Sequence, residues 1–188
     1  MTLIHKYSRW DTHSLPNPEC YPLSELDYIE KSNGVLVYAV DFCLCHELGH
    51  VALEHLEPEK MAVSHFDMKL EEDKADTYAI EQMLRNDLDD NVMATARAGI
   101  VMGLSSLLML SARLTKSRHP DSDDRLRCAM EQLGLSENDD LWGMAAVAIK
   151  LWDLHYKRKL LWPSECATFK ELFLLLSGEL GWVKANEI

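Results

Sequence analysis

Two histidines four residues apart, His46 and His50, enclose Glu47 within "DFCLCHELGHVALEH", residues 41–55. On a helix, residues at i and i+4 lie about 40° apart around the axis and one turn apart along it. Both imidazoles then face one way, at a separation that a single zinc ion bridges. Glu47 sits beside them and can act as general base on a zinc-bound water. The stretch also carries His55 and Glu54, and burying so many polar groups among apolar residues is costly unless each finds a partner. Chance alone produces such a triplet in about 3% of chains of this composition, so a third ligand must be sought elsewhere.

Two routes to that ligand differ in spacing. The metzincin route needs a glycine three residues and a histidine six residues after His50, where this chain has Leu53 and Leu56. The other route is a carboxylate from the next helix. "EEDKADTYA", residues 71–79, offers Glu72 with Asp76 four residues on, on the same face. Glu72 completes a His-His-Glu set, and Asp76 can accept a hydrogen bond from the far nitrogen of a ligand histidine, fixing its tautomer. Glu71 is the rival ligand, but it has no aspartate four residues on. Apolar Phe42, Leu44, Leu48, Val51 and Leu53 leave the histidine helix little exposed face, which argues against a solvated polar stripe. Gly49 leaves room beside the metal.

HExxH followed by ExxxD on the next helix resembles the gluzincin metallopeptidases. "HELGHVALEH" is similar to the HExxHxxxxH form of the HtpX and CAAX-prenyl-protease type, and "HPDSDDRL", residues 119–126, to their HPxxxxR motif. The same order of motifs in a short chain without their membrane helices resembles the Lit-type phage-exclusion peptidases. The resemblance covers about residues 38–130. It implies His46, His50 and Glu72 as ligands of one zinc ion, Glu47 as the base and Asp76 as a support behind a ligand. It further suggests that His119 and Arg125 shape the active-site wall, with His119 able to donate a hydrogen bond to a tetrahedral oxyanion. The plainer reading is that His119-Pro120 ends one helix and Arg125 pairs with Asp121.

His55 lies about 140° from His50 around an unbroken helix, which removes it as a ligand. His65 reads as a surface residue of the loop between the motif helices; His5, His13 and His155 read as structural. Trp142 and Trp152 read as core. Cys43 and Cys45, one residue apart, read as small residues packed in a core helix rather than a redox or zinc motif.

The elements that must position these groups are helical. With 188 residues, 47% hydrophobic and 27% charged, the chain suits one domain with a proper core. Residues 1–23, with three prolines, read as an arm; 38–130 as the motif-bearing core; 136–188 as C-terminal helices. Ser24 opens a short helix that "NG" at 33–34 ends, and "VLVYAV" leaves room for a small β element before the histidine helix. Further helices are predicted over about 66–85, 91–116, from Asp121 or Ser122 to Gly134, from Ser136, and from Pro163 or Ser164. The fold class is therefore mainly α, a single zincin-like helical domain. Residues 98–112 are uncharged but too short to span a bilayer, and read as a central buried helix.

A net charge of −12 opposes a sequence-independent grip on nucleic acid or adsorption to an anionic membrane. Five cysteines and no apolar leader point to a reducing cytoplasm. The resulting expectation is a soluble, cytoplasmic zinc metalloprotease acting on protein or peptide substrates. By the family resemblance, it would cut specific partners in a bacterial or phage regulatory or defence setting. The alternative is a regulatory or interaction module in which zinc only holds helices together; intact Glu47 speaks against it.

Overall fold

Residues 23–55, 65–84, 88–110, 112–114 and 121–186 are described by a computed structural model. Six helices lie among them: α1 (Leu23–Ala52), α2 (His65–Met83), α3 (Asp90–Met109), α4 (Ser122–Gln132), α5 (Asp140–Tyr156) and α6 (Phe169–Ala185). The fold is mainly α, as expected, and the described residues contain no strand. The arm expected over 1–23 lies outside them except for Leu23, as do His5, His13 and His119. His65, expected in a loop, opens α2.

The place of the anticipated β element is taken by helix. α1 runs unbroken for 30 residues through Asn33, Gly34 and the "VLVYAV" stretch. Local preference for strand or turn is weak against packing, and here α3 provides the packing. A Cβ on Gly99 would lie 2.3 Å from the Tyr38 Cβ, and one on Gly103 would lie 3.2 Å from the Ala39 carbonyl oxygen. The two glycines of α3 thus let the α1 backbone come down onto it. Gly34 serves the same crossing from the other side, with Thr95 against it. A glycine that reads as a helix stop is in fact a contact point.

α3 is the central helix, as its uncharged stretch suggests. Ile100, Val101, Leu104 and Leu108 are buried, and α1, α4 and α5 pack around them. α6 packs on α5, and the core runs continuously from Phe42 of α1 to Val183 of α6, with Trp142 and Trp152 inside it. Caps set the helix starts. Asp89 accepts hydrogen bonds from the amides of Asn91 and Val92, Asp139 from that of Leu141, and Thr168 from that of Glu171. α5 and α6 therefore begin later than their upstream Ser136 and Pro163 suggest.

Among the described residues two helices are long and apolar enough to cross a membrane, Leu26–Ala52 of α1 and Asp90–Met109, which is α3. α3 buries Ile100, Val101, Leu104 and Leu108 at the bundle centre, leaving Met102 exposed. α1 leaves a row outside: Leu36, Val37, Val40, Leu44, Leu48 and Val51 are all exposed.

Candidate metal centre

The C-terminal half of α1 carries His46, Glu47 and His50, and α2 lies directly against it. Gly49 makes that approach close, because a Cβ there would sit 3.2 Å from both the Cα and the carbonyl oxygen of Ala75. The room expected beside a metal is in fact room for the α2 backbone. Ala75 lies between Glu72 and Asp76 in sequence, so the close crossing brings both carboxylates under the histidines.

Three donor groups converge. His46 Nε2 and His50 Nε2 are 3.1 Å apart, Glu72 Oε2 is 3.4 Å from His46 Nε2, and Glu72 Oε1 is 3.6 Å from His50 Nε2. A tetrahedral zinc with arms of about 2.05 Å has ligand–ligand edges of about 3.3 Å. The histidine pair and the contacts to the two Glu72 oxygens are each close to that figure, and His46, His50 and Glu72 form a largely buried group able to hold a metal ion. Glu72 belongs to the group; Glu71 does not. Glu47 is exposed beside it.

Behind His46 the support is ionic. Its Nδ1 donates to Asp76 Oδ1 at 2.9 Å, which turns the Nε2 lone pair toward the other donors. Asp76 in turn accepts two hydrogen bonds from Arg125 of α4, from Nη2 to Oδ1 and from Nε to Oδ2, both at 2.7 Å. Arg125 Nη1 lies 3.5 Å from Glu72 Oε2. Burial pushes the His46 imidazole down, but its hydrogen bonds to Asp76 and Glu72 prevail, and its pKa is raised to about 9. Arg125 thus holds two carboxylates in place from beneath, a use that neither a wall nor a pairing with Asp121 describes.

Behind His50 the support is local. His50 Nδ1 lies 3.0 Å from His55 Nδ1. His55 stays outside the donor group, as its place on an unbroken helix predicts, yet it meets His50 because α1 ends at Ala52 and the next three residues turn back.

Two expectations about the surroundings are corrected. Leu44, Leu48, Val51 and Leu53 are exposed, so only Phe42 of the five apolar neighbours is core. What buries His46 is α2 packed against α1, with the Arg125 side chain of α4 reaching in behind it. Likewise Cys43 is exposed and Cys45 half-buried, so the pair is not packed together in a core; the four described cysteines are free thiols. A second acidic group, Asp121, Asp123 and Asp124, closes on Lys184 Nζ of α6 at 3.1, 2.9 and 2.9 Å. Its cation is that lysine, and no sequence motif announces it.

No curated protein and no solved structure matches the chain. A family model, that of Peptidase U49, matches residues 1–145, a stretch that takes in α1 to α4 and every donor described above. With 145 of 188 residues matched, the chain belongs to the Peptidase U49 family and is by that membership a peptidase.

Proposed function

We propose that the chain is a zinc-dependent endopeptidase of the gluzincin kind, with His46, His50 and Glu72 as ligands and Glu47 as general base. The observation that carries this is the convergence of His46 Nε2 and His50 Nε2, 3.1 Å apart, on the Glu72 carboxylate, whose Oε2 and Oε1 lie 3.4 and 3.6 Å from them respectively, with exposed Glu47 on the adjoining residue. Zinc held there supplies Lewis acidity toward the scissile carbonyl and the attacking water. Glu47 takes the proton from that water and returns it to the leaving amine. Asp76 orients His46, and Arg125 holds Asp76 and Glu72 in place. His119 remains a candidate oxyanion donor through the family resemblance. That resemblance also supports limited proteolysis of specific protein partners in a bacterial or phage regulatory or defence setting, and the free thiols are compatible with the cytoplasm.

The test is bound metal per chain, measured on protein purified without a metal-binding tag. Wild type should hold about one zinc and Glu72→Ala much less. Glu47→Gln should keep the zinc and lose roughly 10²–10⁴ in turnover. A well-folded wild type that takes up no metal, even when zinc is added back, would overturn the proposal.

A further inference from the structure

The helix bearing the ligands ends in a turn that a glycine would normally make, and here Glu54 makes it. Glu54 has φ 59, in the left-handed region that side chains other than glycine resist. Its amide donates to the Val51 carbonyl at 3.1 Å, and the His55 amide donates to the His50 carbonyl at 2.9 Å. These are the paired bonds of a Schellman turn. The same turn folds the His55 ring under His50, with ring centroids 5.1 Å apart and the two Nδ1 atoms at 3.0 Å. Had the helix continued, five residues would have placed His55 about 140° away. The strained turn and the ring contact are thus one device.

We propose that His55 is a positioning residue for His50, fixing the tautomer and ring plane in which His50 presents Nε2 to a metal. This rests on the metal reading above. Hydrogen accounting sets the direction. His50 Nε2 faces His46 and Glu72 and must offer a lone pair there, so its proton is on Nδ1. That proton can go only to a lone pair on His55 Nδ1, which leaves the His55 proton on Nε2. His55 would accept through a ring nitrogen, whereas Asp76 accepts from His46 through a carboxylate oxygen.

The experiment compares wild type with His55→Ala, His55→Gln, Glu54→Gly and Glu54→Val. Each is read by zinc affinity in chelator competition, by the d–d spectrum of the cobalt(II)-loaded protein, and by melting of the metal-free form. Loss of such a support weakens metal binding about 10–100-fold, which is the expectation for His55→Ala, together with an altered cobalt spectrum. His55→Gln keeps an acceptor and should restore most of both. Glu54→Gly keeps the turn and should match wild type, whereas the β-branched Glu54→Val resists it and should behave like His55→Ala. Metal-free melting should stay within a few degrees of wild type for both His55 variants. Wild-type affinity and spectrum in His55→Ala would overturn the proposal while leaving the metal reading intact. A wild type that binds neither zinc nor cobalt would overturn both.

Discussion

His46 and His50 stand one turn apart on the same helix, yet they are held by unlike means. His46 is fixed from across the fold: its partner Asp76 is 30 residues away, and Arg125, which grips Asp76, is 79 away on a third helix. His50 is fixed from five residues away by the end of its own helix. The first support is charged, buried and dependent on three helices packing together. The second is a half-exposed imidazole and needs only one turn of backbone. Two histidines can therefore share a motif and differ in what would dislodge each of them.

The largest expected effect comes from breaking the charged half. Arg125→Met leaves Asp76 buried beside His46 without its two guanidinium bonds. Removing one member of a buried ion pair costs about 3–5 kcal/mol, or roughly 10 °C in Tm for a chain of this size. Thermal melting of the metal-free protein checks it. An unchanged Tm would mean that the two halves are not held differently after all. The His50–His55 contact should survive the substitution, which histidine nitrogen NMR can read through the Nδ1-protonated tautomer of His50.

The next effect is in pH. A histidine whose pKa is raised to about 9 on folding stabilises the metal-free protein fully below its unfolded value near 6.5. That contribution is lost as pH rises through about 9. Zinc has to displace the same proton, so apparent affinity should climb about tenfold per unit between pH 7 and 8. Metal-free and zinc-loaded melting temperatures should accordingly diverge as pH rises. Titration calorimetry in buffers of different ionisation enthalpy should show about one proton released per zinc at pH 7.5. No proton release would remove the charged His46 from the comparison.

The smallest effect should come from Gly49→Ala. The added Cβ would press on the Ala75 backbone and the Tyr78 ring, pushing α2 by a few tenths of an ångström. Better helix propensity, worth about 1 kcal/mol, offsets the strain, so Tm should move by less than about 3 °C. Because α2 carries Glu72 and Asp76 but not His55, zinc affinity should still fall a few-fold, as chelator competition can measure. The loss should come wholly from the α2 side of the site.

What the sequence disclosed of this site follows the same division. His46, Glu47 and His50, and then Glu72 and Asp76, are legible because i,i+4 spacing is a property of any helix. Arg125 was visible as part of a motif, but its grip on Asp76 depends on how α4 meets α2, which spacing does not encode. His55 was hidden for a different reason: the turn that brings it back has glutamate where glycine would have signalled a helix end. The fold class was legible from apolar periodicity. The length of α1 was not, since Gly34 looks the same in sequence whether it ends a helix or lets another helix touch it. The burial of His46 was expected for the wrong reason, from neighbours that face outward.

The match to the family model ends at residue 145, inside α5. Ile149, Trp152, Phe173, Leu176 and Leu180, all fully buried, come after it. So does Lys184, which ties the end of α6 to the start of the helix that carries Arg125. The stretch that spells out the chemistry is therefore shorter than the stretch that keeps it upright. A graft of residues 1–145 into another protein would bring all three donor residues along with it, but leave behind the floor beneath them.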